Sequence, residues 1–263
     1  MPTVVPASKT ASQENFPVAS IILPAALRPA VFAFYDFARA ADDIADHAVL
    51  SIGNKLARLD TMDAEADALG PLAAPHARAL LVAFRRDARN PQCRDWNELM
   101  DYCRFSAMPV GRFLCDLHGE APAAVHPSSD ALCAALQVLN HLQDCRRDWM
   151  ELKRLYLPLD WLAGEGLSPD ALCEEQSSQA LRRVLDRALD ETDALLQEAR
   201  SLPRLIRHRR LRLEAAIIVC IAERLSALLR VRDPLRGHVR LSRFSTLSCA
   251  LPGLWRARPL WMP

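Results

Sequence analysis

Glycine is scarce in this chain, 8 residues in 263, and no stretch alternates apolar and polar residues over the length of a strand. Without turn material or a period-two pattern, a sheet-based fold is not expected. No Cys-x-x-Cys pair occurs among the 8 cysteines (Cys93, Cys103, Cys115, Cys133, Cys145, Cys173, Cys220 and Cys249), which argues against a zinc knuckle or a redox dithiol. Most of them lie in apolar helical stretches and read as reduced core thiols. Charge of one sign is not in excess: 33 basic residues face 32 acidic ones, a net of +1, so nothing global points to nucleic acid as a partner. The longest uninterrupted apolar run, residues 215–222, falls well short of the roughly 20 residues a membrane span needs. It reads as a helix at the centre of a bundle. Residues 1–13 lack the basic-then-apolar pattern of a signal peptide, and the expected location is cytoplasmic. No acylation motif and no repeat with a period of roughly 20–50 residues is found.

What the chain does have is helix-forming material. Apolar residues make up 51% of it, and Ala, Leu, Arg and Asp are plentiful, enough for one large helical domain. Apolar periodicity and breakers predict helices over 28–47, 54–69, 75–89, 95–106, 109–117, 130–150, 177–201 and 211–231. Asn90-Pro91 and Met108-Pro109 are natural breaks, Ser128-Ser129-Asp130 offers an N-cap, and Leu157-Pro158 and Gly164 to Pro169 read as a loop region. The expected organisation is a loosely ordered N-terminus (1–15), a helical domain (16–236) and a basic and aromatic C-terminal tail (237–263). The tail carries Arg240, Arg243, Arg256 and Arg258 with Phe244, Trp255, Leu260 and Trp261, a composition that suits a lipid headgroup boundary as well as it suits a packed or disordered end.

Two predicted helices carry a polar stripe on an otherwise apolar surface. On the first, Tyr35, Arg39, Asp42 and Asp46 are spaced four, three and four. On the second, Gln137, Asn140, Asp144 and Asp148 are spaced three, four and four, opposite Leu132, Ala135, Leu136, Leu139 and Leu142. Carboxylates four apart on a helix lie roughly 5–6 Å from each other at Cβ. Such a pair is costly unless a cation sits between them, and a hard cation such as Mg²⁺ takes a few carboxylates plus a diphosphate. The spacing by itself is a weak signal, because Asp63/Asp67 and Asp186/Asp190 repeat it. Asp186/Asp190 has charges on several sides and reads as a solvated face, and Asp63/Asp67 lies in a stretch of mixed Ala and acid.

The words around the two stripes are more specific. "YDFARAADDIADH" (35–47) resembles the first aspartate-rich motif of the squalene/phytoene synthase family, "LQVLNHLQDCRRDW" (136–149) resembles the second, and "KRLYLP" (153–158) resembles the segment that follows it. The likeness runs in order from Asn15 to Arg232. "ENFPVAS" (14–20), "DYCRFSAMPVGR" (101–112) and the form of the second motif are similar to the hydroxysqualene synthase branch of the hopanoid pathway. The resemblance implies an all-α isoprenoid-synthase bundle in a single domain with a central cavity. It further implies that Asp42, Asp46, Asp144 and Asp148 hold Mg²⁺, that Arg39, Gln137, Asn140, Arg154 and Tyr156 contact the diphosphate or its metals, and that Phe16 and Tyr35 flank the reacting carbons. Two positions depart from the wider family: Gln143 stands where many relatives carry Arg, and Arg147 where a second acid is common.

The activity implied is Mg²⁺-dependent conversion of presqualene diphosphate to hydroxysqualene with release of diphosphate. The rivals are head-to-head condensation of farnesyl or other prenyl diphosphates to presqualene diphosphate, squalene or phytoene, and a non-catalytic helical scaffold. A departing diphosphate needs its charge neutralised, and the cation it leaves needs an apolar, dry wall, to which the faces of Phe16, Phe34 and Tyr35 could contribute. Phe34 reads better as core. No Gly-x-Gly-x-x-Gly fingerprint is present, which disfavours a nucleotide reductant. Expected partners are the prenyl diphosphate substrate, other enzymes of the same pathway and, through the tail, the inner face of a membrane. His47, His118, His141 and His208 show no ligand spacing, and His141 reads as lying off the polar stripe. The basic run 207–212 reads as a solvated helix start.

Overall fold

In the computed structural model, residues 23–242 together with 248 and 249 are described. They form ten α-helices: α1 (Arg28–Asp46), α2 (Ile52–Glu65), α3 (Ala74–Asp87), α4 (Trp96–Ser106), α5 (Met108–Leu117), α6 (Pro122–Arg147), α7 (Leu159–Gly164), α8 (Gln179–Ala199), α9 (Leu202–Leu205) and α10 (Arg209–Val231). Among the described residues the nearest thing to a sheet is one isolated bridge between Gln92 and Leu155. Local chemistry sets several boundaries. Ser51, Asp95 and Ser178 each accept a hydrogen bond from the backbone N–H three residues on, capping α2, α4 and α8.

Helix α6 is the axis. Its buried residues, among them Val125, Ala131, Leu132, Ala135, Leu139 and Leu142, lie around much of its circumference, and α4, α5, α8 and α10 pack against it. Alanine on several of its faces lets those neighbours approach closely. Gly111 does the same on α5, where a Cβ would collide with Ser129 Oγ and Cys133 Sγ of α6. Gly111→Val is therefore expected to lower stability by about 2 kcal/mol through overpacking, read as a lower urea midpoint with an unchanged slope. Helix α1 sits differently. Phe37, Ala41 and Ile44 pack against Leu59, Met62 and Leu81 of α2 and α3, which leaves the opposite face, with its polar stripe, turned toward α6 across a gap.

Two predicted boundaries need correction. The central helix begins at Pro122, eight residues before Asp130, and runs through Pro127. Proline at that point costs one helical hydrogen bond to Ala123, but both residues are exposed and water can take the bond's place. Ser128 and Asp130 are not caps: Ser128 Oγ lies 2.7 Å from Ser201 Oγ, and Asp130 pairs with Arg112. Between the predicted loop stretches 157–158 and 164–169 lies α7, for which no helix was expected. The π-turn Asp148–Leu152 continues α6, so the last aspartate of the second motif sits where the helix widens.

The eight cysteines are free. No described helix is long and apolar enough to cross a membrane. Asp63 and Asp67 are tied to Arg78 at 3.1 and 2.8 Å, and Asp190 to Arg230 at 2.8 Å. Asp186 pairs with Arg182, so both duplicate Asp-x-x-x-Asp sequences form ion pairs away from the gap between α1 and α6. Of the tail, residues 237–242, 248 and 249 are described. Val239 is buried and its carbonyl accepts a hydrogen bond from the Gln143 amide. Arg243, Phe244, Trp255, Arg256, Arg258, Leu260 and Trp261, like Phe16, lie outside the described residues.

Candidate active site

The gap between α1 and α6 is a cavity of about 980 Å³. Its walls include Tyr35, Arg39, Asp42 and Asp46 from α1, Gln137, Asn140 and Asp144 from α6, Asp148 from the π-turn, and Arg154 and Tyr156 beyond it. Every described site residue read from the sequence borders this one space. A second, apolar hollow of about 360 Å³ lies beside it, lined by Leu23, Val31, Phe34, Phe113, Leu132, Leu136, Leu211 and Ile218 among others. Phe34 is buried and stacks on Phe113 at 4.2 Å between ring centroids, so it is core and hollow wall at once. Tyr35, Ala38, Ser106, Gln137 and Asn140 border both spaces and form the neck between them.

The carboxylates are crowded. Burial first, and then the Asp46 carboxylate one turn away, push Asp42 up to about 7. Burial, and then Asp144, push Asp148 up to about 7, with Asp46 adding to the effect from the facing helix. Arginines offset part of this charge: Arg39 lies 2.9 Å from Asp42, Arg147 2.8 Å from Asp144 and 3.8 Å from Asp148, and His238 Nδ1 3.3 Å from Asp144. Arg147 thus bridges the second pair.

Arg154 joins the two halves. Its guanidinium, 5% exposed, donates to Asp46 Oδ1 at 2.5 Å, to the Ala45 carbonyl at 3.1 Å and to the Asp87 carbonyl at 3.2 Å. Ala45 and Asp87 are in the last turns of α1 and α3, so one side chain satisfies carbonyls at two helix C-termini. Its backbone N–H donates to the Asp148 carbonyl at 3.1 Å, and the bridge at Leu155 fixes the strand-like segment that carries it.

Three wall residues were not legible as such. Asp87 is a buried carboxylate that accepts hydrogen bonds from Tyr102 and Tyr156, each at 2.8 Å. Burial pushes it up to about 6 against those bonds and the Arg154 charge. The signal was an acid on the apolar stripe of α3, three and seven residues after Phe84 and Leu80. Tyr102 sits in the 101–112 motif, which carried the resemblance without a role for each residue. His141, expected off the stripe, stacks on Tyr156 at 3.6 Å, and its Nε2 is 3.1 Å from the Gln137 amide. Burial, and then the Arg154 charge, push it down to about 3, so the ring is neutral near pH 7.

The donor set is all oxygen, which fits a hard cation. Among the described residues no three His, Cys, Asp or Glu side chains gather closely enough to hold an ion unaided. Two separate carboxylate pairs, each short of a full shell, suit Mg²⁺ that keeps waters and shares a diphosphate's oxygens. Asp42, Asp46, Asp144 and Asp148 would hold it.

An all-helical bundle with an acidic, arginine-lined mouth opening into a greasy hollow is the architecture of a prenyl-diphosphate enzyme. The chain belongs to the squalene/phytoene synthase family, whose family model, Squalene/phytoene synthase, matches residues 9–79 and 71–245. Within that family it groups with the hydroxysqualene synthases. It is 42% identical over 251 residues to that of Sinorhizobium fredii, covering 89% of this chain and 86% of the relative. It is 43% identical over 249 residues to that of Rhodopseudomonas palustris, covering 89% and 85%. The crystal structure of squalene synthase HpnC from Alicyclobacillus acidocaldarius superposes with a TM-score of 0.75 at 31% identity, over 84% of this chain and 90% of that one. A dehydrosqualene synthase in complex with ligand, at 22% identity and a TM-score of 0.81 over 92% of this chain and 91% of that one, shares the fold.

Proposed function

We propose that this chain converts presqualene diphosphate to hydroxysqualene, releasing diphosphate, in a Mg²⁺-dependent reaction of squalene and hopanoid biosynthesis. The observation that carries the reading is the continuity, through five shared residues, of a mouth with two facing aspartate pairs and a hollow with apolar walls. Membership of a family acting on prenyl diphosphates and the names of the hydroxysqualene synthases it resembles support it.

The residues divide the work. Mg²⁺, when bound, supplies positive charge to the oxygens of the leaving diphosphate. Arg39, Arg147 and Arg154 are placed to add to that charge, and Gln137 and Asn140 can hydrogen-bond the diphosphate's inner oxygens. Tyr35 presents an aromatic ring at the neck, next to where the cation forms. Leu132, Leu136, Phe34 and Ile218 exclude water from the prenyl chains, protecting the cation from stray nucleophiles. Tyr156 and Tyr102 hold Asp87, which keeps the Arg154 segment in place.

The test uses purified protein with presqualene diphosphate or farnesyl diphosphate, with and without Mg²⁺, and identification of products by mass. Hydroxysqualene from presqualene diphosphate, lost on chelation with EDTA, is the expected outcome. Consumption of farnesyl diphosphate to a thirty-carbon diphosphate would instead assign head-to-head condensation. Full function in Asp42→Ala and Asp144→Ala would point to a scaffold.

A further inference from the structure

Hydroxysqualene formation requires one water to reach a carbocation in a space that otherwise excludes water. The carboxylates and arginines of the mouth serve the diphosphate and leave this second task unassigned. The group that performs it has to sit at the neck, because the reacting carbon lies just beyond the diphosphate. It has to be neutral, since a charge there would draw in further solvent.

Five residues border both spaces. Ala38 has no polar side chain. The Gln137 amide is engaged with His141. Ser106 is distinct: its Oγ is shielded from solvent and has no hydrogen-bond partner among the described residues. A buried hydroxyl left unpaired is costly, and such groups as a rule are matched by protein or by an ordered water. Ser106 also has a firm mount. It is the last residue of α4, one turn after Tyr102, whose hydroxyl is tied to Asp87 at 2.8 Å.

We propose that Ser106 is the positioning residue for the water that captures the cation, a role that rests on the hydroxysqualene reading. Its Oγ accepts a hydrogen bond from one O–H of the water, which leaves a lone pair directed at the carbon. The carbon–oxygen bond to diphosphate breaks and its electron pair leaves with the diphosphate. The water oxygen then forms the new carbon–oxygen bond, and the surplus proton passes to the released diphosphate. Alcohol and protonated diphosphate result, with no change in oxidation state overall. A cation that meets no held water loses a proton instead and ends as a hydrocarbon.

The experiment follows product partition in the full chain with Mg²⁺ and presqualene diphosphate in water enriched in heavy oxygen. Wild-type protein should give labelled alcohol. Ser106→Ala should continue to release diphosphate at a comparable rate while the ratio of alcohol to hydrocarbon falls about tenfold, the worth of one hydrogen bond in an enclosed site. Ser106→Thr, which keeps the hydroxyl, should recover most of the ratio. A wild-type partition in Ser106→Ala overturns the role, as does a Thr variant no better than Ala. If Ser106→Ala fails to fold, Ser106→Cys, nearly isosteric and a poorer acceptor, carries the same expectation. A wild-type protein that makes no alcohol from presqualene diphosphate overturns the reaction itself, a result visible before any variant is made.

Discussion

Arg154→Ala is expected to lower the stability of the folded chain by about 2–3 kcal/mol, because two helix-terminal carbonyls lose their buried donor and the partly exposed Asp46 carboxylate loses its partner. The substitution strands the Asp46 carboxylate against the raised Asp42, and it leaves the carbonyls of Ala45 and Asp87 without the guanidinium that joins them. Against burial, Tyr156 and then the Asp87 and Asp46 charges hold Arg154 above the ordinary arginine range, so the chain gains nothing by deprotonating this group. Arg154→Lys should recover only part of the loss, because a single ammonium cannot reproduce a planar fork directed at three acceptors on two helices. Chemical denaturation of the three proteins measures both effects. A midpoint for Arg154→Ala equal to the wild type would refute the bridging role.

The second large effect is catalytic, and it comes with a stability change of opposite sign. Asp42→Asn and Asp148→Asn remove one carboxylate from each facing pair, and either is expected to reduce turnover of a prenyl diphosphate by about 10²–10³ or more. The same carboxyls are pushed up to about 7 from an ordinary 3.8 by burial and by their neighbours. The folded chain therefore retains protons that the unfolded chain has released. The stability they contribute is complete below about 4 and is lost as pH rises through about 7. Metal-free wild type should melt at a lower temperature at about pH 8 than at about pH 5, and Mg²⁺ with pyrophosphate should restore much of the difference. Asp42→Asn, with no charge to bury, should flatten this pH dependence while it destroys activity. A wild-type melting temperature independent of pH between those limits would show that the carboxylates are not crowded as described.

Much of the site could be read along the chain because its logic is local. A four-residue spacing on a helix puts two carboxylates on one face whatever surrounds them, so the stripes at Tyr35–Arg39–Asp42–Asp46 and Gln137–Asn140–Asp144–Asp148 could be drawn from sequence, with Arg154 and Tyr156 following from the adjoining words. Asp87 and Tyr102 were harder, since each borders the site only because the ends of α3 and α4 meet the segment after the π-turn. His141 was misjudged although the same spacing rule places it: four residues after Gln137 it shares that face of the helix, where it lies beside the Gln137 amide and stacks on Tyr156 at the cavity wall. The start of α6 was misplaced because proline and serine are strong local stop signals, whereas burial of Val125, Ser128 and Ser129 against neighbouring helices overrode them.

Periodicity and composition, acting through side chains within a few turns of each other, determined that this chain would be helical and would carry two acidic faces. Which faces meet is a matter of long-range packing. The apolar side of α1 is held by α2 and α3 while α6 is wrapped by α4, α5, α8, α9 and α10, and the unpacked gap left between them is where the two acidic faces oppose and where a greasy hollow opens behind.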